Sequence, residues 1–177
     1  MKFYVKRTTT LICVLLFFGM IASAQKGKNS QKKVHVTPTS DLVKNGIILK
    51  SNGFMVAEAY LVFDDESLVP EGNKVELHQN VNMLLIIDSG WTEVGGRVFP
   101  GSKQVLKLSD GALILDSEEL FAAFDETGVS PEDARYITLN TVVTDIKDKR
   151  KHVMVNFRLW DKKGNAEITG SYKLFIK

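Results

Sequence analysis

Between Val75 and Ile87 apolar side chains fall on alternate positions. Val75, Leu77, Val81, Met83, Leu85 and Ile87 share one parity; Glu76, His78, Asn80 and Asn82 share the other. A period of two is the signature of a strand with one buried face. The run is long for one strand, which predicts a bulge or break near Gln79 to Asn82. Leu84 and Ile86 make its end apolar on both faces, as in a strand entering a covered region. Phe54 to Phe63 is a second run of strand formers, ended by Asp64-Asp65.

The last forty residues repeat the pattern. Tyr136 to Thr144 predicts a strand, followed by the charged loop Asp145 to Lys151. Val153, Val155, Phe157 and Leu159 then alternate with Met154, Asn156, Arg158 and Trp160. After the turn Asp161 to Asn165, where Gly164 and Asn165 suit a positive φ, Ala166, Ile168, Tyr172, Leu174 and Ile176 line one face of the final strand. Consecutive strands joined by short polar loops predict an antiparallel meander.

One segment has a different rhythm. Asp116 or Ser117 can cap a helix, Glu118 and Glu119 would lie in its first turn, and Leu120, Phe121 and Phe124 form an apolar stripe. Gly128 would end it, and Ser130-Pro131 can start one further turn. From Gly46 onward the other signals are β, without an internal repeat or linker. The expected fold is therefore mainly β: an antiparallel β-sandwich, residues 46–177, with one short helix between the β blocks. A small up-and-down β-barrel is the alternative.

The N-terminus changes the meaning of the composition. Lys2, Lys6 and Arg7 precede an apolar run from Leu11 to Ile21, and Ala22-Ser23-Ala24 fits a cleavage site. This is the layout of a cleaved signal peptide, residues 1–24. The run is too short for the about 20 apolar residues that span a bilayer, so the chain is not expected to be membrane-spanning. Cys13 lies inside the run, which excludes a lipidated N-terminus. It is the one cysteine of the 177 residues, so the processed chain would have none. The formal charge of +2 becomes −1 without the three basic signal residues. Residues 25–45 read as a flexible basic leader; without its Lys26, Lys28, Lys32 and Lys33 the remainder stands at −5. An exported chain lacking cysteine and any Asn-x-Ser/Thr acceptor points to a bacterial, periplasmic or extracellular domain held by its core alone.

The search for chemistry narrows the classes further. No Gly-x-Ser-x-Gly, His-Glu-x-x-His, Walker loop or dinucleotide fingerprint occurs. His35, His78 and His152 are far apart and read as surface residues. Aspartates at strand ends, such as Asp64, Asp88, Asp110 and Asp161, could form a calcium cup, but aspartate is also the ordinary turn residue. No metal or cofactor is expected, and the acidic body argues against nucleic acid. Gly95-Gly96-Arg97 reads as a glycine hairpin turn with an exposed arginine. Trp91, Arg97 and Phe99, in the turn-rich loop Ser89 to Gly101, are the candidate ligand-binding residues. They could make a stacking platform for a glycan, or Trp91 and Phe99 could simply cover one end of the core. The leading expectation is a non-enzymatic exported domain binding a protein or cell-envelope component. A small-ligand or glycan binder using that loop is the alternative, and a hydrolase without a recognisable motif is the second.

Overall fold

The computed structural model describes residues 42–146 and 152–177. The expected signal peptide, the basic leader up to Asp41 and the loop tip Lys147 to Lys151 lie outside the described residues. The described chain forms two packed β-sheets, not a closed barrel.

The larger sheet has the order β1-β9-β8-β5-β6. Its strands are β1 (Ile48–Asn52), β5 (Pro100–Leu108), β6 (Leu113–Asp116), β8 (His152–Asp161) and β9 (Glu167–Ile176). A two-residue strand, β3 (Lys74–Val75), adds to β9 in parallel; every other pairing of strands is antiparallel. The smaller sheet has the order β2-β4-β7, with β2 (Met55–Val62), β4 (Asn80–Ser89) and β7 (Tyr136–Val142).

The core follows the alternation. Leu61, Val81, Met83, Leu85, Ile87 and Leu139 point inward from the smaller sheet. Val153, Val155, Leu159, Ile168, Tyr172 and Leu174 meet them from the larger one. Burying such side chains contributes roughly 1.5–3 kcal/mol each. One polar chain crosses this apolar layer. The Tyr172 hydroxyl lies 3.0 Å from Thr141 Oγ1, to which Gln104 Nε2 also donates at 3.3 Å. All three side chains are buried and bonded, so the polar groups do not stand unsatisfied in the core.

Four expectations are corrected. The long run from Val75 breaks earlier than the predicted point, in the turn Glu76 to Gln79, where His78 adopts φ 63° and its N–H bonds to Val143 O. The meander is split: β7 belongs to the smaller sheet, and of its three expected strands only β8 and β9 pair with each other. No α-helix forms between Asp116 and Gly128; one 3-10 turn, Ala122–Phe124, stands there. The groups that would cap a helix serve the open edge of β5 instead. Ser117 Oγ accepts from Gln104 N (2.9 Å) and Glu119 Oε1 from Ser102 N (2.9 Å), while Ser117 N and Leu120 N donate to Gln104 O and Ser102 O. Side-chain bonds of this kind compete with helix formation. Gly128 still ends the turn, at φ 60° with its N–H on Phe124 O, and Ser130 Oγ accepts from Asp133 N at the start of the further turn Asp133–Arg135. Finally, neither Gly164 nor Asn165 has a positive φ. Glycine is required at 164 for space, because a Cβ there would collide with Thr92 and the Asp161 carboxylate.

Pairing also starts before the expected domain boundary at residue 46. Ala59 N donates to Leu42 O and Lys44 N to Ala59 O, so Leu42 to Lys44 cover the outer edge of β2. Covering an edge in this way removes a template for unwanted strand pairing.

Candidate functional site on the outer face of the larger sheet

Inward parity on β1, β9, β8 and β5 fixes what points outward. The strand register aligns these outward residues in rows running across the sheet. Lys50, Thr169, Arg158 and Lys103 are successive partners in one row. The next row is Ile48, Ser171, Asn156 and Val105, and the one after it Lys173, Met154 and Lys107. Neighbours within a row stand about 4.8 Å apart, and adjacent rows roughly 7 Å apart. Five lysine or arginine side chains thus share the outward face of four strands with one acid, Glu167.

Two of the cations are already engaged. Arg158 donates from Nε and Nη2 to Glu167 Oε2 at 3.0 and 2.5 Å, and its guanidinium lies 4.8 Å from the centre of the Trp160 ring. That ring leans across Gly101, where any Cβ would overlap it. Lys103 pairs with Asp116 of β6 at 2.8 Å. Lys50, Lys107 and Lys173 have no ion-pair partner among the described residues.

A groove of about 990 Å³ runs along the β9 margin of this face. One wall is Val43 to Gly46 and Leu68 to Asn73; the other is Ile48, Met154, Ser171, Lys173 and Phe175. Asn45 and Asn73 build its floor. Both adopt left-handed backbone, φ 57° and 48°, which asparagine tolerates better than most residues. Asn45 donates to Val69 O and Asn73 Oδ1 and accepts from Leu61 N; Asn73 donates to Asn45 O and Lys173 O. The Asn73 amide therefore stands in for a strand on the stretch of β9 that neither β1 nor β3 covers. The floor is a saturated knot, while the rim carries exposed Ile48 (64%), Leu68 (51%) and Phe175 (39%). Beneath it, burial pushes the Tyr172 phenol well above its ordinary pKa of 10.0, and the Thr141 bond offsets this only in part.

The residues picked from sequence lie at the other end of the sandwich. Trp91 is half-buried, edge-on to Phe54 at 4.6 Å, and its indole N–H donates to Ala134 O at 3.2 Å. Phe99 is buried, with Lys163 Nζ 4.7 Å from its ring centre. Arg97 is exposed, closing the Val94–Arg97 hairpin turn in which Gly95 and Gly96 both have positive φ. Trp91 and Phe99 each pack into their own surroundings rather than facing outward with Arg97 as one platform.

Among the described residues the aspartates are not gathered at one place either. Asp64 accepts from Asn80 and Asn82, Asp65 from Ser67, and Asp88 pairs with Arg135. Asp161 is buried and accepts from the backbone N–H groups of Thr92 and Lys163 at 2.7 and 2.9 Å. Among the described residues no three His, Cys, Asp or Glu side chains are grouped so as to hold a metal ion, and no helix is long and apolar enough to cross a membrane.

The basic face escaped the sequence reading for a definable reason. Arg158 and Trp160 were visible as outward positions of one strand, but their alignment with Lys50 and Lys103 depends on which strands are neighbours. No protein-family model matches the chain, and no curated protein matches it in sequence.

Proposed function

We propose that the chain is an exported, non-enzymatic β-sandwich that binds a protein or cell-envelope component through the outer face of its larger sheet and the adjoining groove. One observation carries the reading: Ile48 and Phe175 stand exposed beside a large groove whose polar floor is fully hydrogen-bonded. Exposed apolar groups rimming a pre-formed, satisfied surface suit docking. Reactive chemistry would instead call for unsatisfied polar groups converging there.

The test is binding of the exported protein to an envelope fraction, with Ile48→Asp/Phe175→Asp compared with Tyr136→Asp on the opposite face. Loss of binding in the first variant alone, at an unchanged melting temperature, is the expected result. Equal binding by both would remove the face from consideration. Intact mass of the exported chain tests processing after Ala24, and a retained Met1 would overturn the export route.

A further inference from the structure

The binding reading leaves the chemistry of the occupant open, and the charge on this face speaks to it. Without its signal and leader lysines the chain carries −5, yet five cations and one acid face outward from β1, β9, β8 and β5. After the Arg158–Glu167 and Lys103–Asp116 pairs are closed, Lys50, Lys107 and Lys173 remain. We infer that the face binds an anionic polysaccharide lying across the strands; this inference rests on the binding role proposed above.

Three features select that occupant. The first is the spread of charge. The cations fall in two rows separated by a neutral one, which places the cationic rows roughly 14 Å apart. No single small anion can reach both rows, whereas a polymer with repeated anionic groups meets each in turn. The second is the neutral row and its neighbour. Thr169, Ser171 and Asn156 set hydroxyl and amide groups between the cations, and the two hydroxyls have no hydrogen-bond partner among the described residues. Such donors and acceptors match the hydroxyls of a sugar chain. The third is shape. Trp160 lies flat over Gly101 and beside Arg158, which leaves the cationic rows open for a chain to lie across them.

The test uses the exported full chain in native gels cast with polygalacturonate, with neutral dextran as the control polymer. Retardation by polygalacturonate alone is expected, and it should vanish near 1 M salt, where the screening length falls to about 3 Å. Lys50→Gln/Lys107→Gln/Lys173→Gln should abolish it. A second triple, Tyr136→Glu/Thr138→Glu/Thr144→Glu, makes the same change in net charge on β7 of the other sheet and just beyond it, and should leave retardation intact. All six positions are exposed, so both variants are expected to fold, with melting temperature as the check. Absence of retardation in the wild type, equal retardation by dextran, or equal loss in both triples would each overturn the inference. Sedimentation with phosphatidylglycerol vesicles but no retardation by polygalacturonate would overturn it in favour of a lipid surface. If polygalacturonate is ignored while Ile48→Asp/Phe175→Asp still abolishes envelope binding, the polysaccharide falls and the docking face stands.

Discussion

The outer faces of the two sheets are built by the same alternation and come out differently. On the smaller sheet a run of polar groups bonds within itself. Asn80 and Asn82 both donate to Asp64, at 2.6 and 3.0 Å, and Asn140 donates to Asn82 at 2.9 Å. At its other end Arg135 closes on Asp88. On the larger sheet three lysines remain without an ion pair among the described residues, and apolar side chains stand open beside a groove. A period of two constrains only the inward half of a strand; the outward half is free to be closed on itself or left available. What the larger sheet leaves available, among the described residues, is its three unpaired lysines.

The comparison holds only if the two sheets share one core, and this gives the largest expected effect. Leu85→Ala in β4 and Leu159→Ala in β8 should each cost about 2–5 kcal/mol, since both side chains are fully buried. Denaturant unfolding measures this. A loss below about 1 kcal/mol for Leu85→Ala beside a full loss for Leu159→Ala would mean that the smaller sheet is a loose cover. Next in size is Asp161→Ala, which leaves the Thr92 and Lys163 N–H groups without their acceptor. Its expected cost is about 1–3 kcal/mol, and an unchanged midpoint would remove Asp161 as the tie between the 92 loop and the β8–β9 turn.

Tyr172→Phe probes the polar link between the sheets and should cost about 1 kcal/mol, because Thr141 keeps its bond to Gln104. It also has a pH signature. The folded state holds the phenol protonated above its ordinary pKa of 10.0, while the unfolded chain ionises there. Stability therefore falls as pH rises past 10.0 toward the higher folded value. The variant should have a shallower alkaline slope, and an identical slope would show that Tyr172 is not the group responsible.

Much of the fold was legible because burial imposes a period. The inward residues of β4, β8 and β9 can be read from parity alone. What was not legible depends on which strands are neighbours. The segment after Asp116 carries helix signals, but Ser117 and Glu119 find better use as acceptors for β5, a partner distant from them in space only until the sheet forms. Gly164 looked like a turn glycine; its requirement for space appears only when Thr92 is placed against Asp161. The binding loop was chosen because Trp91, Arg97 and Phe99 are close in sequence. The cationic rows combine Lys50, Thr169, Arg158 and Lys103, which no local motif can join.

The smallest effect concerns how the segment that replaced the expected helix is held. Lys162, in the β8–β9 turn, donates to Glu119 Oε2 at 2.6 Å and also to Asp125. Burial alone would raise the Glu119 carboxyl, but Lys162 and the amides of Ser102 and Phe121 outweigh it and hold it below its ordinary 4.5. Burial likewise opposes charge on Lys162, and Asp125 and Glu119 together outweigh that, lifting it above 10.5. A depressed carboxylate contributes stability above its unfolded pKa, lost as pH falls through the folded one. A raised ammonium contributes stability below its unfolded pKa, lost as pH rises through the folded one. Stability should thus decline below pH 4.5 and above 10.5 in part through this cluster. Lys162→Met should cost up to about 1 kcal/mol at neutral pH, the scale of a partly exposed ion pair. It should flatten the Lys162 share of the alkaline limb while leaving part of the acid limb, because Ser102 N and Phe121 N still bind Glu119. Loss of the whole acid limb would mean that the ion pair, rather than the two amides, secures the segment to β5.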